Sequence, residues 1–237
     1  KSVGLGLGLA VLVAAAIIVP FSVRQSPGWL ISLYQETLSS YAYATLNTAN
    51  LYYLIGANWT DLEAHVPTAL PLVTALAAMS AGLWLLLDGE KLSLRAQPRR
   101  ASLGALCLLL ALYQFGLTFF GGSYTAYGYG MMAFAFLLSA VCLAFDRKAN
   151  HLPFYLALSL ILIYVLGIKV HERYLLPALP LLLTAYVLTR DRRLLGLCVG
   201  FSITTFINTA IVLDNAILYG AEMGHLNNDT LVLNDAL

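Results

Sequence analysis

Long apolar runs dominate the sequence and leave few options for its fold. A helix needs about 20 apolar residues to cross the hydrocarbon core of a bilayer, and seven runs approach that length. Charged residues make up only 11% of the 237 residues, against about 25% in soluble domains. We therefore predict an all-α, multispanning helical membrane protein with a single transmembrane domain over 1–237. The predicted spans are about 2–20, 68–88, 101–120, 125–145, 153–168, 175–189 and 194–213.

The distribution of lysine and arginine predicts how these spans are oriented. Loops on the cytoplasmic side of membrane proteins carry an excess of both residues. With Lys1 inside, ten of the 13 cations fall on the inner side, and only Arg24, Lys169 and Arg173 fall outside. The predicted topology therefore has the N-terminus inside, the C-terminus outside and a long external loop over 21–67. The net charge of +1 also argues against a nucleic-acid partner.

Two of the three predicted external cations lie in one short segment, "GIKVHERYLLPALP", residues 167–180. The predicted spans on either side of it would measure only about 24 and 22 Å as helices, less than the roughly 30 Å of a hydrocarbon core. Proline disfavours helical conformation at the residue before it. We therefore expect a loop or broken helix over 167–176, with a new helix beginning near Pro177.

The side chains of this segment are suited to binding an anion such as phosphate. Arg173 offers a planar fork of donors, Lys169 a point charge, and His171 a donor that titrates, while Glu172 would orient one of them or balance the charge. An extended chain would put Lys169, His171 and Arg173 on one face and Glu172 on the other; a helix would put Lys169 near Glu172 and Arg173. The alternative is an ordinary external connection whose cations reach lipid headgroups.

The predicted external loop contains a second informative stretch, "SSYAYATLNTANLYYLIGANW", residues 39–59. Aromatic and amide side chains alternate there with apolar ones. They form either an aromatic belt at the membrane interface or a wall that contacts a sugar or a lipid phosphate. The residues concerned are Tyr41, Tyr43, Tyr52, Tyr53, Trp59, Asn47, Asn50 and Asn58.

No motif calls for a metal or another cofactor. The three cysteines, Cys107, Cys142 and Cys198, fall inside apolar runs and are expected to be buried as small hydrophobes. A zinc-protease motif would need a second histidine at the position of Leu175. Asn208, within the last predicted span, is expected to serve helix packing.

Two of these stretches, and a third near the C-terminus, resemble motifs of a known family. "IKVHERYLLPALPLLL" is similar to the Lys-Met/Val-His-Glu-Arg/Lys-Tyr stretch of membrane-embedded GT-C glycosyltransferases. "YAYATLNTANLYYLIGANW" and "FSITTFINTA" look like companion motifs of the bacterial and archaeal branch, so the resemblance covers residues 39–215.

The resemblance implies an enzyme that transfers a hexose or mannose-like sugar from a polyprenyl-phosphate donor to an acceptor on the external or lumenal face. The expected location is a prokaryotic plasma membrane, with the active side external and membrane lipids as surroundings. His171 and Arg173 would bind the donor phosphate, with Lys169 beside them. The expected supporting residues are Glu172, Tyr174, Asn47 and Asn50.

One feature departs from the family pattern. The family's catalytic acid follows the first span, but residues 20–35, "PFSVRQSPGWLISLYQ", contain none, and the catalytic residue is therefore unassigned. We interpret the chain as the C-terminal portion of a longer enzyme, whose missing part or other membrane subunits would be partners. The alternatives are a transporter or flippase for a lipid or anion, and a non-catalytic membrane subunit.

Overall fold

The computed structural model describes residues 2–87, 97–146 and 148–219. Helices account for almost all of its regular structure, which confirms the predicted all-α multispanning class. In the described part of the chain the helices are α1 (Ser2–Ser22), α2 (Trp29–Ser40), α3 (Leu51–Leu54), α4 (Ala69–Leu87), α5 (Pro98–Phe120), α6 (Tyr124–Ala144), α7 (Leu152–Leu166), α8 (Ala178–Thr189) and α9 (Arg192–Tyr219). The two strands there are β1 (Thr45–Leu46) and β2 (Val170–His171).

Within the described residues, six helical segments are long and apolar enough to cross a membrane. Each is 18 to 23 residues long, or about 27 to 35 Å at 1.5 Å per residue. These are the helices of an integral membrane protein, while the side on which each end lies stays a prediction. The six segments are Gly4–Ser22, Ala69–Leu87, Pro98–Phe120, Tyr124–Ala144, Ala149–Leu166 and Arg192–Asp214.

The sixth predicted span, 175–189, is not among these six segments. Its helix α8 has 12 residues, which is about 18 Å and too short to span by itself. A 3₁₀ turn over Glu172–Leu175 occupies the length that a full span would need. The end of another predicted span, residue 88, lies outside the described residues.

Residues 1–42 form a compact unit of their own, which contains α1 and α2. Gly28, with φ of 86°, lets the chain turn just before α2 begins. The indole Nε1 of Trp29 donates a 3.0 Å hydrogen bond to Oγ of Ser22 at the end of α1. The predicted loop 21–67 therefore contains a helix, α2.

Residues 43–237 form the second unit. Here α4 and α5 approach closely because Gly82 and Gly104 face each other: a Cβ on Gly82 would lie 3.0 Å from the Gly104 carbonyl oxygen. Further along the chain, α6 packs on α7, α7 on α8 and α8 on α9. The apolar core of the last three helices is built around Tyr164, Leu175 and Leu182.

The helix ends of this second unit gather at two opposite ends of the bundle. At one end, residues 43–66 meet the start of α6 and the end of α7, through bonds such as Val66 N–H to the Gly122 carbonyl oxygen (2.9 Å). At the other end, the start of α5 approaches the ends of α4 and α6, and residues 146–155 approach 189–194. We call the first end the motif end, because it holds the charged segment 167–176 and the aromatic loop 43–59.

Candidate anion-binding site

The charged segment 167–176 is a broken connection between two helices, as expected. α7 ends at Leu166, β2 covers Val170–His171, a 3₁₀ turn covers Glu172–Leu175, and α8 begins after Pro177. Lys169, His171, Glu172 and Arg173 form the charged cluster of this segment. Neither the extended chain nor the helix considered for the cluster is present throughout. The chain is left-handed at Lys169, extended at His171 and in a 3₁₀ turn from Glu172, so the four charged or titratable residues have three backbone conformations.

A short parallel pairing joins this segment to the aromatic loop. In the register of β1 and β2, Thr45 lies opposite Val170 and Leu46 opposite His171. The pairing begins one residue earlier, where the Lys169 N–H donates to the Ala44 carbonyl oxygen at 3.1 Å. Lys169 itself has φ of 57°, so its backbone lies in the left-handed region just before β2 begins. The two quoted motifs therefore form one structural unit.

Side chains of the loop add three further bonds to the same segment. The hydroxyl of Thr48 donates to the Val170 carbonyl oxygen at 2.6 Å. Nδ2 of Asn50 donates to the Gly167 carbonyl oxygen at 3.2 Å, and the Tyr52 hydroxyl donates to that of Leu166 at 3.0 Å. The Leu166 and Gly167 carbonyls lie at the C-terminal end of α7, where helical partners run out, and the Val170 carbonyl lies in β2. The loop thus caps α7 and fixes where the charged segment starts.

Asn47 and Asn50 hold the chain together instead of facing a groove. Asn47 accepts a 2.8 Å bond from Nδ2 of Asn58 through its Oδ1, and its own N–H donates to Oδ1 of Asn58 at 2.8 Å. Oδ1 of Asn50 accepts from the N–H groups of Tyr52 and Tyr53, both at 3.1 Å, and so caps α3. Both amides are buried, and their part in the site is to position the segment.

Glu172 is the buried carboxylate of the cluster. Its side chain is 11% exposed, and its oxygens lie 3.7 Å from Nδ1 of His171 and 3.3 Å from an Nη of Arg173. The neighbouring His171 imidazole, together with Arg173, holds the pKa of this carboxyl below its usual range although burial raises it. Glu172 is therefore a buried anion that attracts two basic groups to one place.

Arg173 is oriented differently from Glu172, because its side chain is 58% exposed. One Nη contacts Glu172, which leaves the rest of the planar donor fork toward the outside. His171 is held between Glu172 and Tyr174, whose ring centroid lies 5.3 Å from that of the imidazole. The cluster thus combines the buried carboxylate of Glu172, the positioned imidazole of His171 and the accessible guanidinium of Arg173.

An apolar groove runs beside the guanidinium. It has a volume of about 480 Å³ and lies between the end of α7 and the start of α8. Arg173 supplies its one charged side chain among the described residues, and the others are apolar or aromatic. The lining residues are Leu160, Ile163, Tyr164, Val170, Arg173, Tyr174, Leu176 and Pro177. A ligand with an apolar chain and an anionic head fits this combination.

Two residues of this region were not assigned to the site from the sequence. Tyr164 lies in an apolar run, is buried, lines the groove and has no hydrogen-bond partner for its hydroxyl among the described residues. Asn208, predicted to serve only helix packing, accepts a 3.2 Å bond from the Ala49 N–H through its Oδ1. α9 is thereby attached to the same loop. A polar residue within an apolar run was the signal available for both.

The three cysteines lie outside the charged segment 167–176. Cys107 is buried, as expected of a small hydrophobe, whereas Cys142 and Cys198 are only partly buried. Among residues 2–87, 97–146 and 148–219, no group of three or more His, Cys, Asp or Glu side chains could hold a metal ion.

The chain matches no family model, no curated protein and no solved structure. The resemblance to GT-C glycosyltransferases therefore stands on the sequence motifs alone and stays a prediction.

Proposed function

We propose that the protein binds a polyprenyl-phosphate sugar and transfers the sugar to an acceptor. The observation that carries the proposal is the exposed guanidinium of Arg173 at the edge of the 480 Å³ apolar groove. Arginine donors match the oxygens of a phosphate group, and the apolar walls suit the isoprenoid chain next to it. The six candidate membrane helices support a substrate that resides in a bilayer.

In the transfer step, the acceptor hydroxyl oxygen bonds to the anomeric carbon of the donor sugar. The bond between that carbon and the phosphate oxygen breaks, its electron pair leaves with the polyprenyl phosphate, and the acceptor proton passes to a base. Negative charge grows on the departing phosphate. Arg173 and His171 would stabilise it by donating hydrogen bonds, as preorganised donors do in transition states. Lys169 would add charge, and Glu172 would keep the two donors oriented.

The proposed setting is a prokaryotic plasma membrane, with the motif end on the external side. The positions of lysine and arginine support this orientation, since Lys148, Arg190, Arg192 and Arg193 all belong to the opposite end. In that setting the donor lipid would lie in the outer leaflet, and its phosphate would reach the level of the 3₁₀ turn.

The experiment is sugar transfer in reconstituted membranes from polyprenyl-phosphate sugars. Arg173→Ala and His171→Ala are compared with Arg193→Ala. Arg193 is the matched control because it also pairs with a nearby acid, Asp191, at 2.6 Å, but at the opposite end of the bundle. We expect transfer to fall about tenfold or more in the first two variants, since bonds to charged groups are worth about 1.5–3 kcal/mol, and to persist in the control.

Two outcomes would overturn the proposal. Equal transfer by all three variants would show that the cluster is only an interfacial connection. Binding of the donor lipid without any transfer, by a protein that moves the lipid across the membrane, would identify a flippase.

A further inference from the structure

The rings of Tyr43 and Trp59 form a corner at the motif end of the bundle. Their centroids lie 5.1 Å apart and their planes meet at 68°. Both side chains are only partly buried, so ring surface remains accessible. None of the contacts described for the anion-binding cluster uses either ring.

A carboxylate stands next to this corner. Tyr43 and Asp61 are paired in an antiparallel bridge, which places their Cβ atoms about 4.5–5.5 Å apart on one face. The bond from the Ala44 N–H to the Thr60 carbonyl oxygen, 2.8 Å, continues this pairing. Asp61 is exposed, and its Oδ1 accepts a 2.7 Å bond from the Glu63 N–H, which limits its rotation.

The corner is held rigidly. The indole Nε1 of Trp59 donates a 2.9 Å bond to Oδ1 of Asn47. Trp59 and Asn47 both have positive φ, 57° and 53°, a backbone region that non-glycine residues adopt rarely and that concentrates at ligand sites. The Trp59 ring is thus fixed by a buried amide before any ligand arrives, which lowers the entropic cost of binding.

The chemistry favours a carbohydrate over a membrane surface. Aromatic residues at a membrane interface keep the indole N–H for headgroups, but here that group is bonded inside the protein. The exposed carboxylates of Asp61 and Glu63 would repel anionic lipids. A pyranose ring has weakly positive C–H faces that stack on the negative face of an aromatic ring, and hydroxyls that donate to a carboxylate.

We propose that Tyr43, Trp59 and Asp61 form a binding platform for a neutral saccharide, which is the acceptor. The role as acceptor site rests on the proposed function, whereas saccharide binding by the platform does not. The backbone connects the platform directly to the anion-binding segment, because Ala44 follows Tyr43 and bonds to Lys169.

The test uses the fluorescence of Trp59. The chain has three tryptophans, so a Trp29→Phe/Trp84→Phe variant leaves Trp59 as the single reporter. This protein, in nanodiscs, is titrated with mannotriose and with cellotriose. We expect a saturable change in emission with at least one of them, and a rise of about tenfold in Kd on Tyr43→Ala or Asp61→Asn, the loss expected for one stacking or charged contact. Glu63→Gln is the control and should bind as the parent variant does.

Binding of undecaprenyl phosphate is measured in parallel to separate the two proposals. If Tyr43→Ala and Asp61→Asn bind this lipid normally but lose the saccharide, the platform is supported whether or not the lipid site is correct. The platform is overturned if neither trisaccharide changes the emission, or if both variants bind saccharide as tightly as the parent. A response to the anionic lipid content of the nanodisc, without one to saccharide, would also overturn it and assign the rings to the membrane interface.

Discussion

The hydroxyl of Thr48 donates a 2.6 Å hydrogen bond to the carbonyl oxygen of Val170, joining two buried groups that are 122 residues apart in the chain. The bond lies beside the β1–β2 pair and one residue before His171. The position of the charged cluster is therefore set by a loop that precedes most of the membrane helices. The contribution of the bond between Thr48 and Val170 to the stability of the protein can be measured directly.

Thr48→Val should destabilise the protein by about 1–3 kcal/mol. The substitution keeps the shape of the side chain but leaves the buried Val170 carbonyl without the Thr48 donor, and such a loss costs about that much. The measurement is the free energy of unfolding in detergent. Thr204→Val is the control, because the Thr204 hydroxyl is exposed and bonds to the Gly200 carbonyl within the same helix, α9. Equal stability of the two variants would contradict the connection.

Gly128→Ala, a substitution in α6, should destabilise the packing beside the charged cluster. A Cβ on Gly128 would overlap the side chain of Ile168, which is buried and directly precedes Lys169. Overpacking of this kind costs about 1–3 kcal/mol. Gly196→Ala, in α9, is the matched control, since nothing lies within 4 Å of its added Cβ and alanine favours a helix by up to about 1 kcal/mol. The melting temperature should fall for Gly128→Ala and rise for Gly196→Ala. A normal melting temperature for Gly128→Ala would show that Ile168 repacks freely.

Glu172 should stabilise the protein in a pH-dependent way. Its pKa is lowered in the folded state, so its contribution is fully present above the unfolded pKa of about 4.3 and is lost as pH falls through the folded value. The difference in unfolding free energy between the wild type and Glu172→Gln should therefore be largest above about pH 5 and shrink on acidification. A difference that stays constant between neutral pH and pH 3 would contradict the ion contacts to His171 and Arg173.

At the end of the bundle opposite the motif end, Asp146 should matter more for stability than its neighbour Asp191. Asp146 bonds to Nδ1 of His151 at 2.6 Å, to the Tyr155 hydroxyl at 2.9 Å and to the Lys148 N–H at 3.0 Å. Asp191 pairs with an Arg193 side chain that is 90% exposed, and exposed pairs contribute little. We expect Asp146→Ala to lower the melting temperature more than Asp191→Ala. The reverse order would show that the bonds to His151 and Tyr155 carry no net stability.

Local sequence patterns were sufficient to predict most of the helices. A bilayer-length apolar run has few alternatives to a helix, and the prolines together with the charged cluster predicted the break over 167–176. The length of α8 was harder to predict, because Leu175 and Leu176 continue the apolar pattern. In the structure Leu175 belongs to a 3₁₀ turn that follows the strand pairing of the preceding residues.

The partners of the site residues could not be predicted in the same way. Periodicity describes a residue's own element, but the pairing of Thr45 with Val170 depends on how distant elements meet. Asn47 was recognisable as a polar residue of interest, yet an amide can bond to a ligand or to the chain, and only the fold shows that Asn58 and Trp59 occupy it. Tyr164 lies in an apolar run, and nothing in the sequence around Thr48 indicates its distant partner Val170, so neither was assigned to the site.

The central claim is that the segment around Arg173 binds a lipid-linked phosphate. Native mass spectrometry of the protein in nanodiscs, titrated with undecaprenyl phosphate and with undecaprenol, tests it most directly. We predict that the wild type and Arg193→Ala retain the phosphate lipid in preference to the alcohol, and that Arg173→Ala loses this preference by about tenfold or more. Equal retention of both lipids by the wild type, or an unchanged preference in Arg173→Ala, would contradict the claim.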